Sequence, residues 1–279
     1  MSEPTPLEAG SAPLTAESIR RFLSTAVLGR AEIEIHPEIG STNARARDLA
    51  QTGAPEGTLV LAESQTSGRG RLGRSWHSPA GRNLYFTLIL KPPCAPAEAA
   101  LIPLTAGLAG AEAIGRLTGT QPEVKWPNDL MLGGRKIAGI LSEMECRGVV
   151  VRFVVLGVGL NVNMTATDLP PELAAQAGSL RLALGRPFDR AQVLAAFLNR
   201  LETRYRTLLL GGRAELLADY RQVCQTLGSR VQYALENELV TGTAEEIDGE
   251  GNLLVRREED GRMIRITAGD VSLLAARRP

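Results

Sequence analysis

Hydrophobic and polar positions predict strands and helices in mixed order along the first third of the chain. A strand begins near Ala31, where AEIEIH alternates, and the following STNARARDLAQTG has the spacing of a helix. Ser41 or Thr42 would cap this helix, and Gly53 would end it. Two strands then flank a loop rich in glycine and arginine; they are TLVLAESQ and NLYFTLIL.

The middle of the chain predicts one long helix and then a β-meander. LIPLTAGLAGAEAIGRLTG has helical length, and its small residues allow close packing against a sheet. Short turns then separate four hydrophobic strands, which are EVKW, DLML, RKIAGILSEMEC and VVVRFVVLGVGLNVN. Helical spacing returns over residues 189–210 and 213–227.

The two ends of the chain differ from this middle part. Residues 1–13 are rich in Pro, Ser, Gly and Glu, which predicts a disordered lead, and LTAESIRRFLST predicts one short helix. From residue 230 onward, short strands alternate with turns (EN, DGEGN, EDGR, AGD), as in a small β-barrel. We therefore expect an α+β fold with a lead and short helix at 1–30, a mixed-sheet domain at 31–226 and a barrel at 227–279.

Charge and composition exclude several classes of protein. The 31 basic residues balance the 31 acidic ones over the whole chain, but residues 63–91 contain five basic residues and only one acidic residue. A locally positive loop on a neutral protein favours a compact anionic ligand over a nucleic-acid track. Two histidines cannot form a three-histidine metal site, and three cysteines without CxxC spacing indicate free thiols in a reducing compartment. With no uncharged apolar run of membrane length and no secretory signal, we expect a cytoplasmic protein without membrane contact.

The loop GRGRLGRSW, residues 68–76, matches the pattern G-x-G-x-x-G of dinucleotide-binding turns. Its context does not fit, because Pro79 and Gly81 prevent the helix that such a turn requires, and no acidic residue lies between Gly73 and Glu98, where the ribose-binding carboxylate would be expected. Glycines alternating with arginines instead indicate a mobile loop that closes on an anion. Trp76 would either stack on a purine or pack in the core.

Six motifs occur in order: STN (41–43), ESQTSGRGRLGRSW (63–76), NLYFTLIL (83–90), VKWPNDL (124–130), RKIAGILSE (135–143) and GVGLNVN (157–163). Together they closely resemble the biotin protein ligases, over roughly residues 33–275. This resemblance implies a mixed α/β catalytic domain of the biotin/lipoate ligase type followed by an SH3-like barrel. It also implies two steps: biotin and ATP form biotinyl-5′-AMP, and a lysine of a biotin carboxyl carrier domain then receives the biotinyl group.

The resemblance assigns a role to each motif residue. Biotin would contact STN and the loop that wraps its tail, through Ser41, Thr42, Asn43, Gln65, Arg69, Gly70, Arg71 and Lys136. The nucleotide would contact Arg69, Arg71, Arg74, Trp76, Lys125, Asn128 and Asn161, with Mg²⁺ near the phosphates. The catalytic set would be Arg71, Lys125, Lys136 and Asp129, with Arg71 holding the adenylate most tightly and Asp129 a candidate base for the acceptor lysine.

Each of these residue types has a simpler explanation when it is taken alone. STN is an ordinary helix cap, a strand lysine is commonly a surface charge, and Asn128 and Asp129 are typical of a turn. Arg74 is equally well a solvated charge. The sequence leaves the metal ligands open.

Two other functions and the state of assembly remain open at this point. A lipoyl or octanoyl transferase or ligase shares the fold, but it lacks the combination of GRGRxGR and KWPNDL. A DNA-binding regulator needs a winged helix, and about 30 residues with one predicted helix leave no room for one; we therefore expect no DNA binding. The sequence does not choose between monomer and homodimer, and it does not place the arginine near the C-terminus that some family members use for the nucleotide, since Arg277 follows Leu273 and Leu274.

Overall fold

A computed structural model describes residues 13–235, 238–267 and 271–274. Within these ranges the helices are α1 (Ala16–Arg20), α2 (Thr42–Gln51), α3 (Pro96–Ala99), α4 (Ile102–Thr118), α5 (Leu180–Leu184), α6 (Arg190–Leu209) and α7 (Arg213–Val223). The strands are β1 (Ile33–His36), β2 (Leu59–Ala62), β3 (Leu84–Leu90), β4 (Glu123–Lys125), β5 (Asp129–Leu132), β6 (Arg135–Arg147), β7 (Val150–Leu160), β8 (Arg230–Leu235), β9 (Glu238–Ile247), β10 (Leu253–Arg257), β11 (Met263–Ile266) and β12 (Val271–Leu273).

The first seven strands form one mixed sheet in the order β1-β2-β3-β7-β6-β5-β4. Only the β1–β2 pair is parallel among the paired strands of this sheet. All seven residues of β3 are buried, which fits its continuous hydrophobic run and its place inside the sheet. The long β6–β7 hairpin brings Gly139 opposite Gly159, beside the end of β3.

Helices α4 and α6 cover one face of this sheet. Gly110 of α4 allows the close approach, because a Cβ there would lie 2.6 Å from a ring atom of Phe197. Phe197 in turn meets Phe86 of β3 edge to face, with ring centroids 5.5 Å apart. Among the described residues, Pro96–Thr118 is the one helical stretch long and apolar enough to cross a membrane, but 72% of its most apolar window is buried inside the protein. The stretch is therefore a core helix.

Helix α2 lies on the opposite face, where its alanines pack on the sheet. Ala46 and Ala50 are buried against Val60, Ile89 and Phe153. This packing points the N-terminus of α2, residues 41–43, toward the end of the sheet at which the glycine–arginine loop begins. The small residues on one face of α2 allow it to pack closely on the sheet, and this packing sets the position of the STN motif.

The remaining strands form a five-stranded antiparallel sheet in the order β11-β10-β9-β8-β12. Trp126 connects it to the mixed sheet, since its Nε1–H donates to the Gly251 carbonyl at 3.0 Å and its backbone N–H donates to the Thr226 hydroxyl at 2.9 Å. Trp126 is 2% exposed. The KWPND segment is therefore packed directly against the C-terminal sheet.

Most predicted elements are present, with a few differences. Helix α2 begins after the cap Ser41, and Gly53 follows its end with a positive φ. Asp129 is the last residue of the predicted turn PND and the first of the predicted strand DLML; it begins β5 and pairs with Lys125, so the turn itself is limited to residues 126–128. The short helices α3 and α5 were not predicted, since neither has a full period of hydrophobic spacing. The lead at 1–12, the turns EN and AGD and Arg277 lie outside the described residues.

Candidate active site

All fourteen predicted site residues line one cavity of about 750 Å³. The cavity lies at the end of the mixed sheet, between the N-terminus of α2, the glycine–arginine loop and residues 164–177. From 41–43 to Asn161, the residues come from six separate stretches of sequence. The structure brings them together, while the individual role of each remains a prediction.

One end of the cavity is neutral, polar and buried. Ser41, Thr42 and Asn43 are 8%, 3% and 7% exposed. Ser41 caps α2, so its hydroxyl accepts the Ala44 N–H, and the cap explanation of STN is correct for this residue as well. Capping and ligand contact are compatible, because the same helix end opens into the cavity.

Gln65 joins this polar cluster from the other side. Its Oε1 accepts the Thr42 backbone N–H at 3.0 Å and lies 3.2 Å from the Thr42 hydroxyl oxygen. Its Nε2 lies 3.4 Å from the Ser78 hydroxyl. These contacts hold the side chains in place before any ligand enters.

The glycine–arginine loop is folded as a small hairpin. The Gly70 N–H donates to the Arg74 carbonyl at 2.7 Å, and the Trp76 N–H donates to the Gly68 carbonyl at 2.9 Å. A single 3₁₀ turn, Arg71–Gly73, forms the tip, and Leu72 there has φ 55° and is 70% exposed. A leucine in this conformation costs about 1 kcal/mol, so the tip is a strained and solvent-exposed part of the site.

The indole of Trp76 lies on the floor of the cavity. A Cβ at Gly159 would lie 2.4 Å from the ring, and one at Gly139 would lie 2.8 Å from it. The Lys136 ammonium is 5.2 Å from the ring centroid, a cation–π distance. Trp76 Nε1 is buried and has no hydrogen-bond partner among the described residues. Trp76 therefore belongs to the cavity wall rather than to the hydrophobic core.

The other end of the cavity is cationic. Five basic side chains line it beside one carboxylate; they are Arg69, Arg71, Arg74, Lys125, Lys136 and the acid Asp129. Lys136 Nζ lies 2.6 Å from Asp129 Oδ1, an ion pair in which Asp129 is 16% exposed. Arg71 Nη1 donates to Asn128 Oδ1 at 3.1 Å, and Asn128 Nδ2 donates to the Ile140 carbonyl at 2.8 Å. This surplus of positive charge suits an anionic ligand.

Asn161 has a bracing position in the cavity wall. It is 5% exposed, and its Nδ2 donates to the Gly178 carbonyl at 2.9 Å. Its Oδ1 lies 3.4 Å from Asn83 Nδ2. The amide therefore holds residues 176–180 against the end of β7, whether or not it also contacts a nucleotide.

The apolar wall of the cavity was not predicted from the sequence. This wall contains Met131, Met164, Leu169 and Leu173. Ser272 and Leu273 of the C-terminal sheet also line the cavity, which answers how that domain reaches the site. None of these residues belongs to a recognisable motif, so only their place in the fold reveals them.

The turn at residues 165–168 is attached to the loop side of the cavity. His77 Nε2 lies 2.9 Å from the Asp168 carbonyl, and Arg82 pairs with the Asp168 carboxylate at 3.7 Å. Burial raises the pKa of Asp168, but hydrogen bonds from Thr165 and the Arg82 charge outweigh it and hold that pKa below its usual value. The ionised carboxylate keeps this part of the wall in place.

The described residues contain no group of three or more His, Cys, Asp or Glu side chains that could hold a metal ion. Asp129 is the one carboxylate among the lining residues, and Lys136 already pairs with it. The cavity therefore has no protein cage for Mg²⁺, which ordinarily binds through a few carboxylates and substrate phosphates.

Two family models match the chain. The biotin/lipoate A/B protein ligase family matches residues 36–161, and the biotin protein ligase C terminal domain matches residues 226–274. Both agree with the two sheets of the structure.

Proteins of known name are similar over nearly the whole chain. The bifunctional ligase/repressor BirA of Bacillus subtilis is 37% identical, over 93% of this chain and 79% of its own. The biotin–(acetyl-CoA-carboxylase) ligase of Mycobacterium tuberculosis is 36% identical, over 93% of this chain and 95% of its own. The structure of the biotin protein ligase from Aquifex aeolicus in complex with biotin and ATP is 29% identical, with a TM-score of 0.74 over 88% of this chain and 99% of that chain.

These similarities confirm the predicted fold, with its mixed-sheet domain and SH3-like C-terminal domain. They also confirm the resemblance that the six motifs carried, and with it an ATP-dependent ligase. The chain belongs to the biotin protein ligase family.

Proposed function

We propose that this protein joins biotin to ATP as biotinyl-5′-AMP and transfers the biotinyl group to a lysine of a carboxylase carrier domain. The observation that carries the proposal is the division of one cavity into a buried neutral end and a cationic end. Biotin has the same division, with a neutral ureido ring at one end and a carboxylate at the other. The relatives support the choice of ligands, since one is a biotin–(acetyl-CoA-carboxylase) ligase and one structure contains biotin and ATP.

The ureido ring would lie against Ser41, Thr42, Asn43 and Gln65. It offers N–H donors and a carbonyl acceptor, and these side chains offer hydroxyls and amides already held by neighbours. Prior ordering lowers the entropy cost of binding, because few rotamers are lost when biotin enters. The biotin tail would then run over the floor formed by Gly139, Gly159 and Trp76 toward Lys136.

In the first step a carboxylate oxygen of biotin attacks the α-phosphorus of ATP, and pyrophosphate leaves. Both reactants are anions, so their approach needs compensating charge. Lys136 would hold the biotin carboxylate, Lys125 the phosphate, and Arg69 and Arg71 the adenylate. Arg74 would add to the same field. Mg²⁺ would enter on the ATP phosphates as part of the substrate, since the cavity offers it few oxygen ligands of its own.

In the second step the acceptor amine attacks the acyl carbon, and AMP leaves with the bonding electrons. An amine with a pKa near 10.4 is only about 0.1% neutral at pH 7.4, which adds roughly 4 kcal/mol to the barrier. Asp129 would orient the amine and accept its proton, since it is the one carboxylate lining the cavity. Once the biotin carboxylate is part of the anhydride, Lys136 no longer faces a full negative charge there, and Asp129 remains its counter-ion.

The mixed anhydride of biotin and AMP must be kept from water until the carrier arrives. The hairpin at 68–76 covers the cavity from one side, and its exposed tip at Leu72 gives it freedom to tighten over a ligand. Trp76 at the end of this hairpin, and Asn128, which accepts a hydrogen bond from Arg71 of the hairpin, would contact the nucleotide. Asn161 would hold the cavity wall behind the nucleotide in place.

The proposed domain limits follow the two sheets of the structure. We place the catalytic domain at residues 31–226 and the barrel domain at 227–279, with residues 1–30 leading into the first strand. Two contacts and the start of a strand support a joint near residue 226: the Gln225 N–H donates to the Val124 carbonyl at 3.0 Å, the Thr226 hydroxyl accepts the Trp126 N–H, and β8 starts at Arg230. The three cysteines are free thiols, which fits the cytoplasm as its compartment.

Isothermal titration with biotin and with lipoate, each with and without MgATP, tests the proposed ligands. We expect biotin to bind and its apparent affinity to rise when ATP allows the adenylate to form. Lipoate binding without biotin binding would contradict the proposal. A carrier domain with its acceptor lysine replaced by arginine is the control for transfer, because it should leave the adenylate unreacted.

A further inference from the structure

The side-chain amide of Asn43 is held in one orientation by groups on β6. Its Nδ2 donates to the Leu141 carbonyl at 3.3 Å and to Glu143 Oε2 at 3.0 Å. A backbone carbonyl and an ionised carboxylate can only accept hydrogen bonds. The NH₂ group must therefore face β6, and the carbonyl oxygen must face away from it.

The carbonyl side of the same amide is fixed by β3 and β7. Thr87, which is fully buried, donates its hydroxyl hydrogen to Asn43 Oδ1 at 2.7 Å. Gly157 leaves the space, because a Cβ at that position would lie 1.9 Å from Asn43 Oδ1. A carbonyl oxygen accepts two hydrogen bonds, so one acceptor position is left after Thr87 has taken the other. Asn43 and Gly157 both line the cavity.

Glu143 can hold Asn43 because each of its oxygens has a separate partner. Oε2 accepts from Asn43, while Oε1 is paired with the Arg47 guanidinium on the next turn of α2. Arg47 holds the carboxylate against α2, where its other oxygen meets the Asn43 amide. Without this contact, the amide could rotate and turn its NH₂ toward the ligand.

We propose that Glu143 is a positioning residue for biotin: together with Thr87 it presents Asn43 to the cavity as a hydrogen-bond acceptor, so that this end of the site selects a ligand N–H. This inference rests on the proposed function, since the ureido ring is the part of biotin that carries N–H groups. A ligand whose ring lacks an N–H, such as lipoate, would leave the acceptor without a partner.

The test is the KM for biotin in a pyrophosphate-release assay of the full chain. Removing the acceptor in Glu143→Leu should raise this KM by about tenfold or more, the effect of one buried donor left without its partner. The kcat and the KM for ATP should change less than about twofold, because the cationic end is untouched. Glu143→Gln keeps an acceptor oxygen and should recover most of the biotin KM.

Glu145 provides the matched control. It lies two residues along the same strand and, like Glu143, bonds to one amide and one guanidinium. The amide is Gln51 of α2, at 3.1 Å, and the guanidinium is Arg152 of β7. It does not line the cavity, so Glu145→Leu should leave the biotin KM unchanged. Equal increases in Glu143→Leu and Glu145→Leu, or a fall in kcat with a rise in the ATP KM, would show a merely structural role and overturn the inference.

A biotin analogue in which oxygen replaces one ureido N–H tests the orientation directly. The unmodified protein should prefer biotin to this cyclic carbamate by about tenfold or more if the replaced N–H meets Asn43, and Glu143→Leu should reduce the preference because its amide can turn. Thr87→Val, which removes the donor at nearly constant volume, should act in the same direction if Glu143→Leu does not fold. An unchanged preference in both variants overturns the role of Glu143, whereas failure of the unmodified protein to bind biotin at all overturns the proposed function instead.

Discussion

The two ends of the cavity are built in different ways. At the neutral end, Thr42 and Asn43 are buried, and hydrogen bonds to residues of other segments hold both of them. At the cationic end, Arg69 and Arg74 are exposed on a hairpin, and Lys136 is one-third exposed. A neutral ligand gains most from groups that are already ordered, whereas long charged side chains keep their solvation until an anion replaces it. We therefore expect the neutral end to set which molecule binds and the cationic end to set how fast it reacts.

Removal of Arg71 should give the largest effect and bears on the cationic end alone. Arg71→Ala should slow adenylate formation by about 100- to 1000-fold, since a guanidinium makes two charge-assisted bonds of roughly 1.5–3 kcal/mol each. Pyrophosphate release measures this rate, and titration measures biotin binding without ATP, which should change little. Arg74→Ala, an exposed arginine of the same hairpin, is the control and should lose less than about tenfold. Equal losses in both would mean that the hairpin acts only through its total charge.

Replacement of Asp129 separates the two chemical steps within the cationic end. Asp129→Asn should slow transfer to the carrier by about 100-fold or more, the usual contribution of a general base, while adenylate formation falls less than about tenfold. Single-turnover transfer from preformed biotinyl-AMP measures the second step by itself. An equal loss in both steps would mean that Asp129 acts only as the counter-ion of Lys136.

Adding a methyl group to the cavity floor tests the region between the neutral and the cationic end of the cavity. In Gly159→Ala the new Cβ would lie 2.4 Å from the Trp76 ring, so the indole must move. We expect the KM for biotin to rise by about tenfold, because a displaced indole gives up its packing and narrows the path of the biotin tail. Gly249→Ala, where a Cβ meets nothing within 4 Å, is the control. Unchanged kinetics in Gly159→Ala would show that the Trp76 indole can shift without affecting the binding of biotin.

A carboxylate far from both ends should change stability without changing the reaction. Glu202 accepts the backbone N–H groups of Ala26, Val27 and Leu28. Burial raises its pKa, but these hydrogen bonds outweigh burial and lower the pKa below its usual value. Because the folded-state pKa is lowered, the stability that Glu202 contributes is present above the unfolded pKa and is lost as pH falls through the folded one.

Glu202→Gln should therefore lower the free energy of unfolding by about 2 kcal/mol at pH 7. The difference from the unmodified protein should begin to shrink as pH falls below the unfolded pKa of about 4.3, and it should vanish only below the lowered folded pKa, where the carboxyl is protonated in both states. Urea unfolding at several pH values measures this, while kcat and both KM values at pH 7 should stay the same. A difference that does not depend on pH would mean that packing, not charge, explains the effect.

Much of the site could be predicted because its residues lie in short motifs. STN, the glycine–arginine loop, KWPND and RKIAGIL are compact, and each supplies side chains that the fold brings to the same cavity. Their roles as ligands stay predictions. Thr87 and Glu143 were missed although both lie inside quoted motifs, because an isolated Thr or Glu on a strand carries no sign of its partner. Asp129 belongs both to the tripeptide PND, which favours a turn, and to the predicted strand DLML, and its pairing with Lys125 places it in β5.

The sequence by itself determined the helices, the strands and the family, because periodicity, caps and turns depend on residues close together in the chain. Only the tertiary structure decided which distant residues meet. Asn43 and Glu143 are 100 positions apart, and Trp126 and Gly251 are 125 apart. Such contacts arise from the packing of α2 on the sheet and of the barrel on KWPND, where buried area and close approach select the partner. For the same reason, the orientation of the Asn43 amide followed only from the groups that surround it.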